Sequence, residues 1–251
     1  MYSVHLFFIL LAAGAIIFVG SFFATVSGFG FALVATPPLC LVMPVKWAII
    51  FVLVLTVLLR ALTMYRVWGQ FNGRTVMLTS IGSFIGMLPG SKVLNIIPVV
   101  KLELFLGVVL ILATLLMSLQ YTVPIKNKTL GRLGAGVLSG FFGASTSVSG
   151  PPLVLYFLNE HTAKEEMRAN MIWIFGVTGI LMVGASYWAG NISAVENWDY
   201  MYTMIPGTLL GIWAGEKMFR YLNQQLFRRL SLCIVLAGAL MMLAHGISEI
   251  L

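Results

Sequence analysis

Ser145, Thr146, Ser147 and Ser149 place four hydroxyls between Gly143 and Gly150-Pro151, inside a stretch that is otherwise apolar. Hydroxyls at that density suit the binding of a small anion, because each adds a hydrogen-bond donor without the cost of burying a charge. The glycines and prolines beside them loosen or break a helix, and a broken helix exposes backbone N–H groups whose dipoles attract anions. Ser27, Gly28, Gly30 and Thr36 occupy the matching part of the first half of the chain. Together the two segments are expected to form a midplane site in a membrane, where freed backbone is tolerated only if it lines a cavity or is buried in protein. The competing role for the same residues is adhesion between helices.

Other polar residues stand in or near apolar runs. Asn170 lies about one turn into a helix expected over 168–189, where it either donates to a substrate or caps that helix. Arg168, at the entrance, reads as an interfacial anchor. Arg60 sits about two turns before the basic end of its helix and is expected to snorkel to the interface, although an inward Arg60 would attract anions strongly. His245, one turn before Glu249 in the last apolar run, is the candidate for proton coupling, against a plain interfacial histidine. Glu216 and Lys217 read as a charge pair at the membrane edge. Cys40 and Cys233 lack partner spacing and read as small buried hydrophobes.

The eight acidic residues of the chain fall nearly all in loops or at span ends. That distribution argues against a cation transporter and against a metal-dependent membrane enzyme. No acidic pair for Mg²⁺, no His/Glu zinc motif and no phosphate-binding loop is present in the sequence. The expectation is therefore a protein that is not an enzyme, with no metal site and no cofactor, drawing energy from an ion or substrate gradient or from a partner.

The elements that must hold these residues are membrane helices. The chain of 251 residues is 60% hydrophobic and 9% charged, a composition that a water-facing surface does not permit. A net charge of +7 is carried by basic residues in short loops, which is a topology signal and not one for nucleic acid. With no basic leader and no cleavage site, the first apolar run is read as a retained span. Apolar runs near 6–26, 47–66, 75–92, 102–120, 168–189, 200–219 and 227–249 each approach the ~20 residues a bilayer span needs. Pro37-Pro38 and Pro151-Pro152 are expected to break the opening segment of each half. The segment over 132–159 is too short for two spans and long for one, so it is either a bent helix or a re-entrant hairpin.

A glycine ladder, Gly82-x3-Gly86-x3-Gly90-x-Lys92, recurs as Gly207-x3-Gly211-x3-Gly215-x-Lys217 at an offset of 125 residues, and Leu115 and Met117 match Leu240 and Met242 at the same offset. The chain thus reads as two repeats, 1–122 and 132–251, joined by a basic loop over 123–131. Glycine every fourth residue lines one helix face and admits a second helix closely. If each opening segment crosses once, basic residues divide six against nine; if each returns to its own side, they divide twelve against three. The positive-inside tendency favours the second arrangement, with inverted halves and both termini outside.

Two halves, each with a Gly-rich apolar opening leading to Pro and Leu, resemble the sulfite exporter TauE/SafE family of membrane transporters. The residues that carry the resemblance are Gly28-Phe29-Gly30-Phe31 with Thr36-Pro37-Pro38-Leu39, and Gly140-Phe141-Phe142-Gly143 with Gly150-Pro151-Pro152-Leu153. The repeated Gly90-Ser91-Lys92 and Gly215-Glu216-Lys217 also resemble the C-terminal unit of that family's repeat. Where family members often carry consecutive glycines before the second proline, this chain has Ser-Thr-Ser-Val-Ser. The resemblance implies transport of sulfite, sulfonates or related small organic anions in bacteria.

The resulting expectation is an all-α polytopic bundle of two pseudo-symmetric repeats, each a broken or re-entrant hairpin followed by three spans. Its function would be secondary transport of a small anion across the bacterial inner membrane by alternating access, with proton coupling as one option. Its partners would be the anionic substrate and the lipid bilayer, with a homodimer admissible and no nucleic acid. A passive anion channel and a non-transporting membrane scaffold are the alternatives.

Overall fold

A computed structural model describes residues 2–40, 42–93, 99–119, 124–146, 149–188 and 195–248. Those residues form helices and no strand: α1 (Tyr2–Ser27), α2 (Phe31–Cys40), α3 (Val45–Met64), α4 (Gly73–Val93), α5 (Val99–Ser118), α6 (Lys128–Thr146), α7 (Gly150–Asn159), α8 (Lys164–Trp188), α9 (Met201–Tyr221) and α10 (Gln224–Ser248). A long helix, a short one and three long ones thus follow each other twice. Within the described residues, Ile9–Ser27, Trp47–Val67 and Lys164–Gly184 are long and apolar enough to cross a membrane. Large apolar side chains face outward on several helices, among them Phe84 and Leu88 on α4, Phe105 and Leu112 on α5, and Leu210 and Trp213 on α9. Hydrocarbon accommodates such a surface and water does not.

Asparagine starts three of the helices. The Oδ1 atoms of Asn72, Asn127 and Asn223 accept from the backbone N–H of Thr75 (3.0 Å), Thr129 (3.0 Å) and Leu226 (2.8 Å), which satisfies N-terminal donors of α4, α6 and α10. The short α7 ends differently. His161 takes a left-handed φ of 52°, while Thr162 N–H donates to Phe157 O (3.1 Å) and His161 N–H to Leu158 O (3.2 Å). This pattern closes a helix C-terminus, with histidine where glycine is usual. The first turns of α10 hold that end: Gln224 Nε2 donates to Thr162 O, Gln224 Oε1 accepts from Lys164 N–H, and Arg228 donates to Leu158 O.

The chain folds as two compact units. One comprises 1–70 and 175–222, the other 71–174 and 223–251. In the first, α9 seats α1. Ala13, Ile17, Ala24, Phe51, Leu55 and Leu59 pack in its core with Tyr200, Met204 and Ile212, and Phe51 meets Trp198 edge-on at 5.5 Å. In the second, α4 seats α6, and α10 packs on α5 through Gly107 and Gly246. Both ladders act at these seams. A Cβ on Gly82, Gly86 or Gly90 would strike the carbonyls of Leu133, Val137 or Phe141 of α6. One on Gly207, Gly211 or Gly215 would strike those of Gly14, Phe18 or Phe22 of α1. Backbone therefore meets backbone at every rung, and each ladder serves a helix far from it in sequence.

Two expectations need correction here. Helix α2 runs through Pro37-Pro38, and Pro151-Pro152 occupy the first turn of α7, so neither pair breaks a helix. Proline is tolerated in a first turn because its missing N–H has no partner there anyway. The breaks fall instead at Gly28–Gly30 and just before Gly150. Cys233, expected to be buried, is exposed on α10, where an apolar thiol suits a lipid-facing surface; the Cys40 side chain lies outside the described residues.

Candidate functional site

The break after α1 is made of backbone. Gly28 and Gly30 have φ of 83° and 86°, a left-handed conformation that side-chain-bearing residues adopt at a cost. Gly28 N–H still closes the last turn on Ala24 O at 2.9 Å. Ser27, fully buried, is absorbed by the break: its Oγ lies 2.8 Å from Phe23 O and 2.9 Å from Phe29 O, and Phe29 N–H donates to it at 3.3 Å. After the break α2 folds back along α1, so that a Cβ on Gly20 would stand 3.0 Å from that of Ala35. Thr36, half-buried, lies in the second turn of α2. Helix α2 starts at Phe31, and Val34 N–H is the first to find a carbonyl in the new helix, Gly30 O at 3.0 Å. The N–H groups of Phe31, Ala32 and Leu33 are thus the donors a helix start leaves over.

The chain passes from α6 to α7 between Thr146 and Gly150. Ser145 and Thr146 close α6, with side chains outside the described set; Ser147 lies outside the described residues altogether. Ser149 precedes α7 without capping it through its hydroxyl. Its carbonyl accepts from Ser139 Oγ at 2.7 Å, which ties the break to the body of α6. Gly150 opens α7, and Pro151 and Pro152 remove two N–H donors from the first turn. Ser139 was invisible as a site residue, since nothing in its neighbourhood sets it apart from other small residues of a glycine-rich helix.

Three residues stand where the sequence did not put them. Arg60, expected at the interface, is 2% exposed, its guanidinium carbon 5.7 Å above the Phe175 ring. A Cβ on Gly176 would strike the Met64 thioether at 2.8 Å and reach ordinary contact with Arg60 Cβ at 3.6 Å, so α8 passes close to this part of α3. Arg168, expected as an anchor, is 4% exposed. Helix α8 begins at Lys164, four residues before the expected start, which draws Arg168 and Asn170 into the protein. Asn170 is fully buried and does not cap its own helix; its Oδ1 accepts from Asn72 N–H at 2.7 Å, at the start of α4. Asn72 was missed by the sequence reading; an asparagine three residues before Thr75 is a helix-cap signal, but nothing local marks it as the partner of Asn170. The His245 side chain lies outside the described residues. Lys217 Nζ sits 5.5 Å over the Trp213 ring.

Each unit therefore combines a long helix, a break, a short returning helix, a glycine ladder that seats the long helix, and one buried arginine among the described residues. Residues 12–242 match the family model described as sulfite exporter TauE/SafE. The chain belongs to that family. A curated relative from Cupriavidus necator, named as a probable sulfite/organosulfonate exporter TauE, is 28% identical over 217 residues, covering 80% of this chain and 82% of the relative. No solved structure matches the chain. TauE/SafE membership makes this a membrane transporter, consistent with its outward-facing apolar surface.

Proposed function

We propose that this TauE/SafE protein is a secondary transporter that moves a small sulfur-containing or organic anion, such as sulfite or a sulfonate, across the bacterial inner membrane by alternating access. One observation carries the reading: α2 and α7 are each ten residues long, and each folds back on a long helix after a break. Ten helical residues span about 15 Å, half of a hydrocarbon core of about 30 Å. Short helices of this kind bring N-terminal donors to the middle of a membrane, where an anion meets oriented N–H groups and hydroxyls in a low dielectric. At one break the donors are the N–H groups at the start of α2, exposed by the turn through Gly28 and Gly30, with the Thr36 hydroxyl beside them and Ser27 holding the turn; at the other they are Ser145, Thr146, Ser147, Ser149 and Gly150. Arg60 and Arg168 supply buried positive charge, which in membrane segments marks a substrate path. The printed name of the Cupriavidus relative supports a sulfur oxyanion over other anions.

The same reading takes the chain as an internal duplication, 1–122 and 132–251 about the loop 123–131, inserted as inverted multi-pass repeats. Support comes from the rungs of the two seams, whose acceptors Gly14, Phe18 and Phe22 correspond to Leu133, Val137 and Phe141 at a constant offset of 119. Phe22–Phe23 and Phe141–Phe142 keep that offset, meeting edge-on at 5.4 and 5.3 Å. Export driven by an inward proton gradient gives His245 its role.

The test is flux in proteoliposomes of the pure protein, with sulfite, sulfate, thiosulfate, taurine and acetate, each with and without a pH gradient. A saturable response to a sulfur anion is expected. The Ser147→Ala/Ser149→Ala variant should lose substrate affinity about a hundred-fold or more, the worth of two hydrogen bonds to a charged ligand, at unchanged thermal stability. Unaltered transport in that variant removes the hydroxyls from the site, non-saturating unitary currents replace the transporter by a channel, and indifference to the gradient removes proton coupling.

A further inference from the structure

The Asn170 carboxamide has two ends in different situations. A backbone N–H can only donate, so the atom that meets Asn72 N–H at 2.7 Å is Oδ1, and the orientation of the amide is fixed by its partner. The other end, Nδ2, carries two donor hydrogens, is buried, and has no acceptor among the described residues. Asn170 as a whole is 0% exposed, so bulk water does not serve it either. Burying such a donor unpaired is costly, and native structures keep one mainly where a ligand or an ordered solute completes it.

The amide is also held still. Phe71 lies over Trp173 with ring centroids 4.5 Å apart, and Asn72 bonds Asn170. Positions 170 and 173 share one face of α8, so two consecutive residues of the segment leading into α4 are gripped by one helix face. Asn72 Oδ1 meanwhile accepts from Thr75 N–H at 3.0 Å. A chain of hydrogen bonds thus runs from Asn170 through Asn72 into the first turn of α4, and its free terminus is the Asn170 NH₂.

We propose that Asn170 Nδ2 is a preoriented donor to an oxygen of the transported oxyanion, with Oδ1 reserved for Asn72. The inference rests on the transport reading above and deepens it by naming one donor and its polarity. A neutral donor that offers no acceptor selects a ligand rich in acceptor oxygens, such as a sulfonate, sulfite or sulfate. It gains nothing from an ammonium or any other donor-only solute.

Asn170→Asp tests it, because the substitution keeps the shape and the acceptor for Asn72 while replacing the NH₂ by an oxygen. The probes are methanesulfonate, sulfite, sulfate and phosphate, titrated into purified protein and followed by calorimetry, with thermal unfolding recorded in parallel. At about pH 8.5, where an aspartate is expected to be ionised, Asn170→Asp should bind methanesulfonate about a hundred-fold more weakly than the wild type. At about pH 4, near the ordinary pKa of an aspartate, part of that loss should return, because a protonated carboxyl donates again where the NH₂ did; methanesulfonate keeps its charge throughout. Asn170→Ser, which shortens the side chain without adding charge, should lose about ten-fold at both pH values and covers the case in which Asn170→Asp does not fold. Wild-type affinity in either folded variant overturns the assignment, as does a loss in Asn170→Asp that ignores pH. Wild-type protein that binds phosphate but no sulfur anion, with the same response to Asn170→Asp, keeps the donor and removes the sulfur reading. Wild-type protein that binds none of the four overturns both.

Discussion

The two breaks solve one problem with different atoms. At Gly28–Gly30 the backbone N–H groups at the start of α2 are left over, and the Ser27 hydroxyl is consumed in holding the break together. Before Gly150 the first turn of α7 has lost two N–H groups to Pro151 and Pro152, and the sequence carries hydroxyl residues in the approach instead. In the proposed site, glycine would supply donors by freeing the backbone, and serine would supply them from side chains where proline has stiffened it. On the proposed reading, binding could be changed at the second break without disturbing the chain path, whereas at the first the chain path would itself be the site.

The largest effect should come from removing a seat. Gly86→Leu drives a side chain into the backbone of α6 at Val137, which exceeds the usual 1–3 kcal/mol of overpacking because backbone cannot step aside. Loss of monodisperse protein on size-exclusion chromatography after detergent extraction is the expected outcome. Gly211→Leu should be milder, since its clash includes the Ser21 side chain and a Phe18 carbonyl 2.6 Å away. Equal damage at the two seams would mean that they are equally tight.

Next in size is the left-handed pair. Gly28→Ala should cost about 1–2 kcal/mol, the penalty of an L-residue in that conformation, read as a lower unfolding temperature in detergent. Gly150→Ala, in a helical first turn, should cost much less. The comparison breaks if the two variants melt together.

Ser27→Ala should cost about 1 kcal/mol, because a buried N–H and two carbonyls lose their shared hydroxyl. Ser149→Ala should leave melting unchanged and raise the KM for transport. Reversed outcomes, with stability residing in Ser149 and affinity in Ser27, would exchange the roles assigned to the two breaks.

Much of this was legible in the chain. The ladders marked helix faces made for close approach because glycine every four residues has a single geometric consequence in a helix. The helix order followed from apolar run length. What the ladders face was not legible, since a matching offset shows likeness and not partnership. Arg60 is buried against Phe175 of α8, far away in the sequence, whereas local context pointed to the nearer interface. Proline pairs were misjudged because the effect of proline depends on its place within the helix: at positions 151 and 152 it begins one. Asn170 was singled out for its polarity inside an apolar run, but the direction of its amide required Asn72.

The pairing of each ladder with a distant helix also sets a timetable for assembly. Helix α6 follows α4 after 35 residues of chain, while α1 ends 174 residues before α9 begins. At roughly 5–20 residues per second of synthesis, α6 emerges within several seconds of its seat, but α1 waits about 10–35 seconds for its own. During that interval Ser21 and Thr25, which the α9 seam buries in the finished protein, have no α9 to cover them. Newly made α1 thus depends on the insertion machinery or on lipid for its company, and a ribosome stalled between the two helices would leave the first break of the transporter without its support.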